Sequence, residues 1–446
     1  MALPADTLSA ASGADAEGSG GLGGISIDSR RLVPGDLFVA IKADRDGHDY
    51  ISSAIRAGAG GLLIEESWLA TAEEAVPIVA VPDTAGALLA VGVAARDRLA
   101  GPIIGITGSV GKTSTKDMAA AALATTLKTC ASERSFNNEL GVPLTLANAP
   151  ESTEVAVVEM GSRGRGHIAK LCRVARPTIG VVTSVAMAHT EAFGGLDGVA
   201  VAKAELVEAL PREGAAVLNA DDARVAAMSR LTQADVLMYS AANPPAAKAD
   251  FVAESAALDE DLRPSFVLRS PWGSAPVRLE ARGAHQVGNA LAALAVALRC
   301  GVDLEVASAA LAQASPSPWR MEVSRTPGGA VVVNDAYNAN PASMAAALRA
   351  LASLPGSRKL AVLGRMAELG SSSESEHKAV AGLAAGLGIE VIALGTDAYD
   401  MEPVASIDDA IKRLGALGPD DAVLVKASRV AGLERLAARL LDGGGS

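Results

Sequence analysis

The feature that most constrains this chain is an apolar strand that breaks into a glycine-rich turn and runs directly into a helix. The segment spans residues 103–115 and reads IIGITGSVGKTST. Gly108 and Gly111 allow successive backbone N–H groups to point at an anion. Lys112 supplies a mobile cation for phosphate groups, and Thr113 offers a hydroxyl to Mg²⁺ at a helix N-terminus. The pattern therefore predicts a triphosphate-binding loop between a β-strand and an α-helix.

The spacing of this loop departs by one residue from the usual G-x-x-x-x-G-K-[ST] pattern. Ile106 stands where the first glycine is expected, and Gly105 comes one position too early. A chance GKT in an ordinary loop is the alternative, but the apolar strand before it and the Ala-rich helix after it favour a phosphate site. The departure indicates a particular branch of nucleotide-using enzymes rather than P-loop proteins in general.

Length, charge and cysteine content predict a cytoplasmic protein of several domains. The 446 residues are enough for about three domains of roughly 150 residues. A net charge of -12 argues against a nucleic-acid partner, which requires a basic face. The chain has three widely spaced cysteines, which fit a reducing compartment without disulfides or a zinc site. We find no membrane span, signal peptide or coiled coil in the sequence, and expect a monomer.

Alternating strands and helices predict an α/β fold with three domains. Residues 1–83 hold short strands around a PGD turn and form a small N-terminal α/β domain. Residues 84–314 alternate apolar strands with Ala-rich helices, which predicts a parallel, P-loop ATPase-like sheet. After a Pro/Ser-rich hinge, residues 315–446 predict a Rossmann-like C-terminal domain. The central strands are expected at 103–107, 155–160, 179–185 and 215–218.

Ionisable residues follow the strands of the central domain, where ligands collect in open α/β sheets. Glu159 ends the strand VAVVEM, and a buried carboxylate there would be costly without a cation, so we predict that it binds Mg²⁺. His189 lies just beyond the strand IGVVTSV, which favours a functional role over a structural one. Lys203 lies on the helix VAVAKAELVEAL, and its spacing alone favours a solvated lysine.

Three other segments carry more polar side chains than capping requires. Adjacent amides at Asn137 and Asn138 can orient a peptide or phosphate, or merely cap a helix. Asn289 lies near the start of a helix in GAHQVGNALAA. Pro341 favours a helix that begins there, which would make the residue before it an N-cap. The segment NDAYNANP contributes Asp335, Tyr337, Asn338 and Asn340.

Together these segments resemble the Mur ligases over about residues 25–435. The shared segments follow the family's order and read TGSVGKTS, FNNELGVPLTL, EMGSRGRGHIAKL, AHTEAFGGLDGVAVAKAEL, NADD, GAHQVGNALAA, SPSPWRME, NDAYNANPASM, LGRMAELG and LVKASR. The NNELG and DAYNANP segments are similar to the branch of the family that adds a dipeptide. The DNPR motif expected of the diaminopimelate- or lysine-adding branch is not found in the sequence.

This resemblance implies an ATP-dependent peptide ligase of peptidoglycan precursor synthesis. ATP would phosphorylate the terminal carboxylate of UDP-N-acetylmuramoyl-tripeptide to give an acyl phosphate and ADP. The amine of D-alanyl-D-alanine would then attack, and a tetrahedral intermediate would expel phosphate. Lys112 and Mg²⁺ would neutralise charge on the transferring phosphoryl group.

The resemblance also implies a role for each matching residue. The catalytic group would be Lys112, Glu159, His189, Lys203 and Arg320. One Mg²⁺ would be held by Thr113 and Glu159, and a second by His189 and a carbamylated Lys203. ATP would be bound by Gly108, Ser109, Val110, Gly111, Lys112, Thr113, Ser114, Asn289, Arg320 and Asp335. The other substrates would be bound by Ser29, Arg30 and Asp46 at the UDP end, and by Asn137, Asn138, Tyr337, Asn338 and Asn340.

The sequence departs from the family pattern at Ala43, Ser184, Gln286, Arg365 and Ala427, but none of these positions removes a predicted metal or phosphate contact. Two alternatives stay open on the sequence. One is another Mur or folylpolyglutamate-type amide ligase with a different acceptor. The other is a P-loop regulatory protein that only binds or hydrolyses nucleotide, and such a protein would have no use for the Asn-rich strand ends far from the loop.

Overall fold

The computed structural model describes residues 22–71, 76–186 and 193–443. Within them the strands form three sheets, of four, nine and five strands, all covered by helices. The predicted α/β fold with three domains is therefore confirmed. Each sheet falls inside one of the ranges 1–83, 84–314 and 315–446, whose boundaries stay predictions.

The N-terminal sheet is small, parallel and tied to the central domain. Its strands follow the order β1 (Ile25–Ser26), β2 (Leu37–Val39), β3 (Gly61–Glu65) and β4 (Ile78–Val81), with helix α1 (Ile51–Arg56) and 3-10 helices Gly47–Tyr50 and Glu66–Thr71. Helix α2 (Thr84–Arg98) leads into the next domain. The Asn148 side chain accepts a hydrogen bond from Ile25 N at 2.8 Å and donates one to Ile25 O at 2.9 Å. These two bonds hold the first strand against the central domain.

The central sheet contains the strand predicted before the glycine-rich loop. The strands are β5 (Ile103–Thr107), β6 (Thr129–Ala131), β7 (Val155–Glu159), β8 (Ile179–Val182), β9 (Ala215–Asn219), β10 (Asp235–Ser240), β11 (Phe251–Leu258), β12 (Pro264–Ser270) and β13 (Gly273–Arg278). Their order in the sheet is β13-β12-β11-β10-β9-β8-β5-β7-β6, so β5 lies between β7 and β8. All four predicted strands are present, although β7 and β8 end before the predicted residues 160 and 185.

The last three strands of this sheet differ from the predicted parallel arrangement. The pairs from β6 to β11 are parallel, whereas β11, β12 and β13 form an antiparallel meander at the edge. Buried and exposed residues alternate along β12. That alternation is typical of an antiparallel strand with one face in water, whereas the parallel strand β5 is buried throughout.

The helices of the central domain bring distant residues to the glycine-rich loop. They are α3 (Lys112–Ala124), α4 (Gly141–Ala147), α5 (His167–Ala175), α6 (Leu196–Glu208), α7 (Ala223–Ala227), a 3-10 helix Met228–Arg230, α8 (Gln286–Arg299) and α9 (Leu304–Ala310). Helix α8 is Ala-rich, buried over almost its whole length, and packed against α3. Small side chains allow the close approach of the two helices, and this approach places Asn289 beside the loop.

The C-terminal sheet has the expected Rossmann-like alternation. Its order is β14 (Glu322–Arg325), β15 (Val331–Asn334), β18 (Asp421–Lys426), β16 (Arg358–Leu363) and β17 (Glu390–Ala393), and only the β14–β15 pair is antiparallel. The helices are α10 (Pro341–Ser353), α11 (Ser373–Gly386), α12 (Ile407–Leu414) and α13 (Glu434–Leu441), with 3-10 helices Gly370–Ser372 and Arg429–Ala431. The carboxyl ends of β15 and β18 face the central domain. In the described part of the chain, no helix is both long and apolar enough to cross a membrane.

Candidate active site

A cleft of about 440 Å³ lies between the central and C-terminal domains. The glycine-rich loop and the end of β7 form one wall, and residues that follow β15 and β18 form the other. Every predicted site residue of these two domains that the structure describes lines this cleft. His189 lies outside the described residues. The sequence therefore predicted which residues converge, and the geometry shows how they are held.

Two glycines in the loop have conformations and surroundings that exclude a side chain. Gly108 has φ 148° and Gly111 has φ 90°. A Cβ atom at Gly108 would lie 1.8 Å from Thr183 Oγ1, and one at Gly111 would lie 2.3 Å from Asn289 Oδ1. The loop can close on its neighbours only because both positions are glycine.

Part of the loop's backbone is already bonded to the segment after β8. The Ser109 amide donates to Ser184 O at 2.9 Å, and the Val110 amide donates to Ser184 Oγ at 3.0 Å. The expectation that all successive N–H groups of the turn point at an anion is therefore wrong for these two. The N–H groups that begin α3 are the ones suited to a phosphate, because a helix N-terminus leaves its first amides without intrahelical partners.

A carboxylate and a hydroxyl meet at the start of α3, where Mg²⁺ was predicted. Thr113 Oγ1 donates to Glu159 Oε2 at 2.7 Å, and Asn137 Nδ2 donates to Glu159 Oε1 at 2.8 Å. Thr113 and Glu159 are 2% and 1% exposed. Within the described ranges no three His, Cys, Asp or Glu side chains form a metal cluster. One carboxylate and one hydroxyl suit Mg²⁺, which completes its shell with water and phosphate oxygens.

The Lys112 ammonium lies inside the loop and donates to Gly108 O at 2.6 Å. Burial lowers its pKa, the nearby Glu159 carboxylate opposes that shift, and the Arg320 charge adds to it. An anion at the loop would therefore meet two cations, of which one is poorly solvated. Such a site favours a highly charged ligand such as a triphosphate.

Lys203 is buried, contrary to the solvated position that its helical spacing favours. It is 6% exposed and lines the cleft from α6. Burial lowers its pKa to about 7, and repulsion by the Lys112 charge contributes to the shift. A substantial fraction of Lys203 is therefore a neutral amine near neutral pH, which makes it nucleophilic.

The C-terminal domain contributes a cation and a buried ion pair. Arg320 Nη2 donates to Thr113 Oγ1 at 2.8 Å, and its guanidinium lies 4.1 Å from the centre of the Tyr337 ring. Lys426 Nζ contacts Asp335 Oδ2 at 2.6 Å, and Lys426 is 2% exposed. Charged groups of both domains therefore surround the start of α3.

Several predicted amides have local structural roles in addition to lining the cleft. Asn340 Oδ1 accepts from Ser343 N at 2.9 Å in a capping box, as the N-cap interpretation predicted. Asn138 Oδ1 accepts from Gly141 N at 2.9 Å, at the start of α4. The capping alternative is therefore correct for Asn340, whereas Asn138 precedes the N-cap Leu140 and accepts from the Leu140 and Gly141 amides in a turn. Asn338 offers its backbone oxygen to Lys426 Nζ at 2.9 Å.

The predicted ATP-binding residue Asn289 is oriented by its neighbour on α8. Asn289 Nδ2 donates to Gln286 Oε1 at 2.8 Å, and Thr115 Oγ1 donates to Asn289 Oδ1 at 3.4 Å. Gln286, which departs from the family pattern, thus supports the side chain beside Gly111. This departure leaves the loop geometry intact.

The predicted UDP-side residues lie in the N-terminal domain and do not line the cleft. Arg30 pairs with Asp28 at 2.7 Å and its side chain is 83% exposed. Asp46 Oδ1 accepts from His48 N at 3.0 Å and contacts His48 Nδ1 at 2.6 Å. Ser29 follows Asp28 in the same turn. The structure does not bring these three residues to the P-loop, as expected for residues assigned to the far end of a long substrate.

Sequence reasoning missed several residues that line the cleft. Lys426 ends β18, so the strand-end rule that identified Glu159 also applies to it. His285 immediately precedes α8; burial lowers the pKa of its imidazole, opposed by Asp335 and reinforced by Lys426. Ser135 and Arg429 also line the cleft; Arg429 ends the family segment LVKASR, whereas no pattern in the sequence marks Ser135.

Comparisons with known proteins agree with this geometry. The family models "Mur ligase middle domain" and "Mur ligase, glutamate ligase domain" match residues 106–297 and 319–429. The chain is 42% identical to the UDP-N-acetylmuramoyl-tripeptide–D-alanyl-D-alanine ligase of Mycobacterium tuberculosis, over 94% of this chain and 92% of that protein.

Solved structures show the same architecture. A crystal structure of MurF from Acinetobacter baumannii superposes with a TM-score of 0.87 at 28% identity, covering 99% of each chain. MurF from Thermotoga maritima in complex with ADP superposes with a TM-score of 0.80 at 26% identity, covering 94% of this chain and 97% of that one. The chain belongs to the Mur ligase family, and within it to the UDP-N-acetylmuramoyl-tripeptide–D-alanyl-D-alanine ligases.

Proposed function

We propose that this chain is an ATP-dependent ligase that joins D-alanyl-D-alanine to UDP-N-acetylmuramoyl-tripeptide, in peptidoglycan precursor synthesis. The observation that supports it best is the meeting of two half-sites in one cleft. The central domain contributes Lys112, Thr113 and Glu159, and the C-terminal domain contributes Arg320 and the Asp335–Lys426 pair. The relatives' names supply the identity of the substrates.

The reaction has two chemical steps. The terminal carboxylate of the tripeptide attacks the γ-phosphorus of ATP, and ADP leaves as an acyl phosphate forms. The amine of D-alanyl-D-alanine then attacks the acyl carbon, loses a proton, and expels phosphate from a tetrahedral intermediate. Both steps move negative charge between oxygens, so cations fixed beside these oxygens lower the barriers. Lys112 and Arg320 are placed to do this.

Two metal sites complete the proposal. Thr113 and Glu159 would hold one Mg²⁺, since their oxygens lie 2.7 Å apart at the helix N-terminus. His189 and a carbamylated Lys203 would hold a second ion, which is supported by the burial of Lys203 beside the cleft. When bound, Mg²⁺ neutralises charge on the phosphoryl group.

The remaining assignments follow the position of each residue. We assign Asn289, Arg320 and Asp335 to the nucleotide. Asn137, Asn138, Tyr337, Asn338 and Asn340 are assigned to the peptide substrates, and Ser29, Arg30 and Asp46 to the UDP end. We also propose a monomer in the cytoplasm, where its three cysteines, all free in the structure, would stay reduced.

A phosphate-release assay tests the function directly. Purified enzyme with Mg²⁺, ATP and UDP-N-acetylmuramoyl-tripeptide is expected to release phosphate rapidly only when D-alanyl-D-alanine is added. The assay is run with the lysine and the diaminopimelate tripeptides, and the product is identified by mass spectrometry. Equal turnover with single amino acids would indicate a ligase with another acceptor. Phosphate release that depends neither on UDP-N-acetylmuramoyl-tripeptide nor on D-alanyl-D-alanine would indicate a nucleotide-binding regulator.

Alanine at Gly111 is expected to weaken ATP binding at least tenfold. The new Cβ would lie 2.3 Å from Asn289 Oδ1, and φ 90° is unfavourable for any residue with a side chain. The loop would have to move away from α8 and from the phosphate position. Isothermal titration calorimetry with Mg²⁺–ATP measures the change.

Gly301→Ala is the matched control for this prediction. Gly301 follows α8 with a similar φ of 85°, but its Cβ would meet no atom within 4 Å. Both variants introduce backbone strain, whereas only the first introduces a clash at the loop. Equal ATP affinity of the two variants would contradict the assignment of the loop.

A further inference from the structure

The segment that opens the C-terminal domain is fastened to helix α3 at two points. Ser317 donates to Asp117 Oδ2 from its hydroxyl at 2.6 Å and from its amide at 3.2 Å. Three residues later, Arg320 Nη2 donates to Thr113 Oγ1 at 2.8 Å. Thr113 and Asp117 are four residues apart on α3 and therefore lie one above the other on the same face. The two attachments are thus one helical turn apart on α3.

Asp117 is itself held in place by a buried cation. Lys116 Nζ contacts Asp117 Oδ1 at 2.8 Å and donates to Ser132 O at 2.8 Å. Lys116 is 4% exposed, so these oxygens replace the water that its ammonium would otherwise contact. One carboxylate oxygen of Asp117 therefore contacts the Lys116 ammonium, and the other accepts the hydrogen bonds from Ser317. This division fixes the direction of the bonds to the segment.

The segment between the two attachments is stiff. Pro316 and Pro318 flank Ser317, so the φ angles of both prolines are fixed and Ser317 is confined to extended conformations. Trp319 and Met321, on either side of Arg320, have φ of 59° and 51°. Positive φ at residues other than glycine is strained and persists only where the surroundings enforce it. A shift at Ser317 would consequently be transmitted to Arg320.

The surroundings enforce this backbone from the C-terminal side as well. The Tyr337 amide donates to Trp319 O at 3.2 Å, and the Met321 amide donates to Asp335 Oδ1 at 3.1 Å. The Arg429 guanidinium lies 4.3 Å from the centre of the Trp319 ring system. Within the described residues, the hydrogen bonds that residues 315–319 make to the central domain are the two from Ser317 to Asp117.

We propose that Asp117 and Ser317 are positioning residues that set the Arg320 guanidinium over Thr113. Neither side chain lines the cleft, and both act through Arg320. The inference rests on the proposed function, because it assumes that Arg320 assists phosphoryl or acyl transfer beside Thr113. It extends that function by connecting the orientation of the two domains to the placement of one catalytic cation.

Ser317→Ala tests the proposal, since it removes the hydroxyl and leaves the Lys116–Asp117 pair intact. We expect kcat to fall about tenfold, with KM for the tripeptide unchanged within twofold, because a displaced Arg320 acts on the transition state. Ser317→Thr retains the hydroxyl and should restore most of the rate. Ser315→Ala, an exposed serine in the same segment, is the control and should match the wild type.

A double-mutant cycle separates positioning from a general structural role. In an Arg320→Ala background, Ser317→Ala should have no further effect, since there is no guanidinium left to place. A tenfold loss in both backgrounds would overturn the proposal, as would an unchanged kcat in the single variant. A wild-type enzyme that does not ligate the dipeptide would instead refute the proposed function.

Hydrogen exchange gives a readout that does not depend on activity. The amides of residues 319–323 should exchange faster in Ser317→Ala than in Ser315→Ala, because the attachment to α3 is weakened. Equal protection of these amides from exchange in the two variants would overturn the proposal that Asp117 and Ser317 position Arg320, whatever the enzyme's activity.

Discussion

Replacement of Lys112 by alanine is expected to reduce ligation by at least about 1,000-fold while the fold stays intact. The Lys112 ammonium lies within the glycine-rich loop, and its one side-chain hydrogen bond among the described residues goes to Gly108 O, so its removal breaks a single hydrogen bond of the fold. The variant would lack the positive charge that faces the transferring phosphoryl group. Steady-state phosphate release measures kcat, and circular dichroism with thermal unfolding reports on the fold.

Two variants complete this experiment. Lys170→Ala removes an exposed lysine of α5 and controls for the change in net charge. Lys112→Arg keeps the charge but replaces a compact ammonium with a planar guanidinium, so it should recover only part of the rate. Normal ligation by Lys112→Ala would refute the assignment of the glycine-rich loop.

The parallel core was predictable because buried parallel strands are continuous apolar runs. Strand β5 spans Ile103–Thr107 as predicted, and all of its residues are buried. Strand β8 ends three residues early, at Val182. Thr183 Oγ1 donates to Val110 O at 2.5 Å, and the Val185 amide donates to Asp222 Oδ2 at 2.7 Å. The two residues after Val182 are polar, and the Thr183 hydroxyl and the Val185 amide donate these hydrogen bonds to distant loops.

The position of Lys203 was not predictable from its helix. A hydrophobic pattern indicates which face of a helix is buried, but it does not show whether a charged residue on that face reaches a cleft. Lys203 lies on the buried face of α6, one turn from Val199 and from Val207, and lines the cleft from there. The resemblance to the family gave the functional interpretation, and the burial agrees with it.

The contacts between domains could not be derived from local patterns. Arg320 and Thr113 are 207 residues apart in sequence, and Ser317 and Asp117 are 200 apart. The sequence identified Arg320 and Thr113 separately, because each lies in a family segment. It contained no sign of the Asp117–Ser317 contact, because Asp117 has the pattern of an ordinary helix residue. The strand-end rule finds half-sites, and only the structure shows how they are joined.

Replacement of Lys203 by alanine is expected to lower kcat about 100-fold or more, and added bicarbonate or short-chain carboxylic acids should restore part of it. The neutral amine can attack CO₂ and release a proton, which yields a carbamate anion suited to Mg²⁺. Burial favours this chemistry because it lowers the pKa of Lys203 to about 7. In the variant, a small carboxylate could occupy the space and supply the missing anion.

The direction of the pH effect follows from the same pKa. Below pH 7 the amine is largely protonated and cannot attack CO₂, whereas above pH 7 it is largely neutral. At equal concentrations of dissolved CO₂, wild-type enzyme depleted of CO₂ should therefore recover activity faster at pH 8 than at pH 6. A ¹³C-bicarbonate NMR experiment should show a carbamate signal that Lys203→Ala lacks.

Lys112→Ala provides the matched control for chemical rescue, because it removes a cation from the same cleft. Added carboxylic acids should leave it inactive, since they cannot replace a positive charge. Full activity of Lys203→Ala without additives would refute the carbamate, and equal rescue of both variants would show that the acids act elsewhere. Rescue confined to Lys203→Ala would mean that this lysine works as an anion, although it is encoded as a cation.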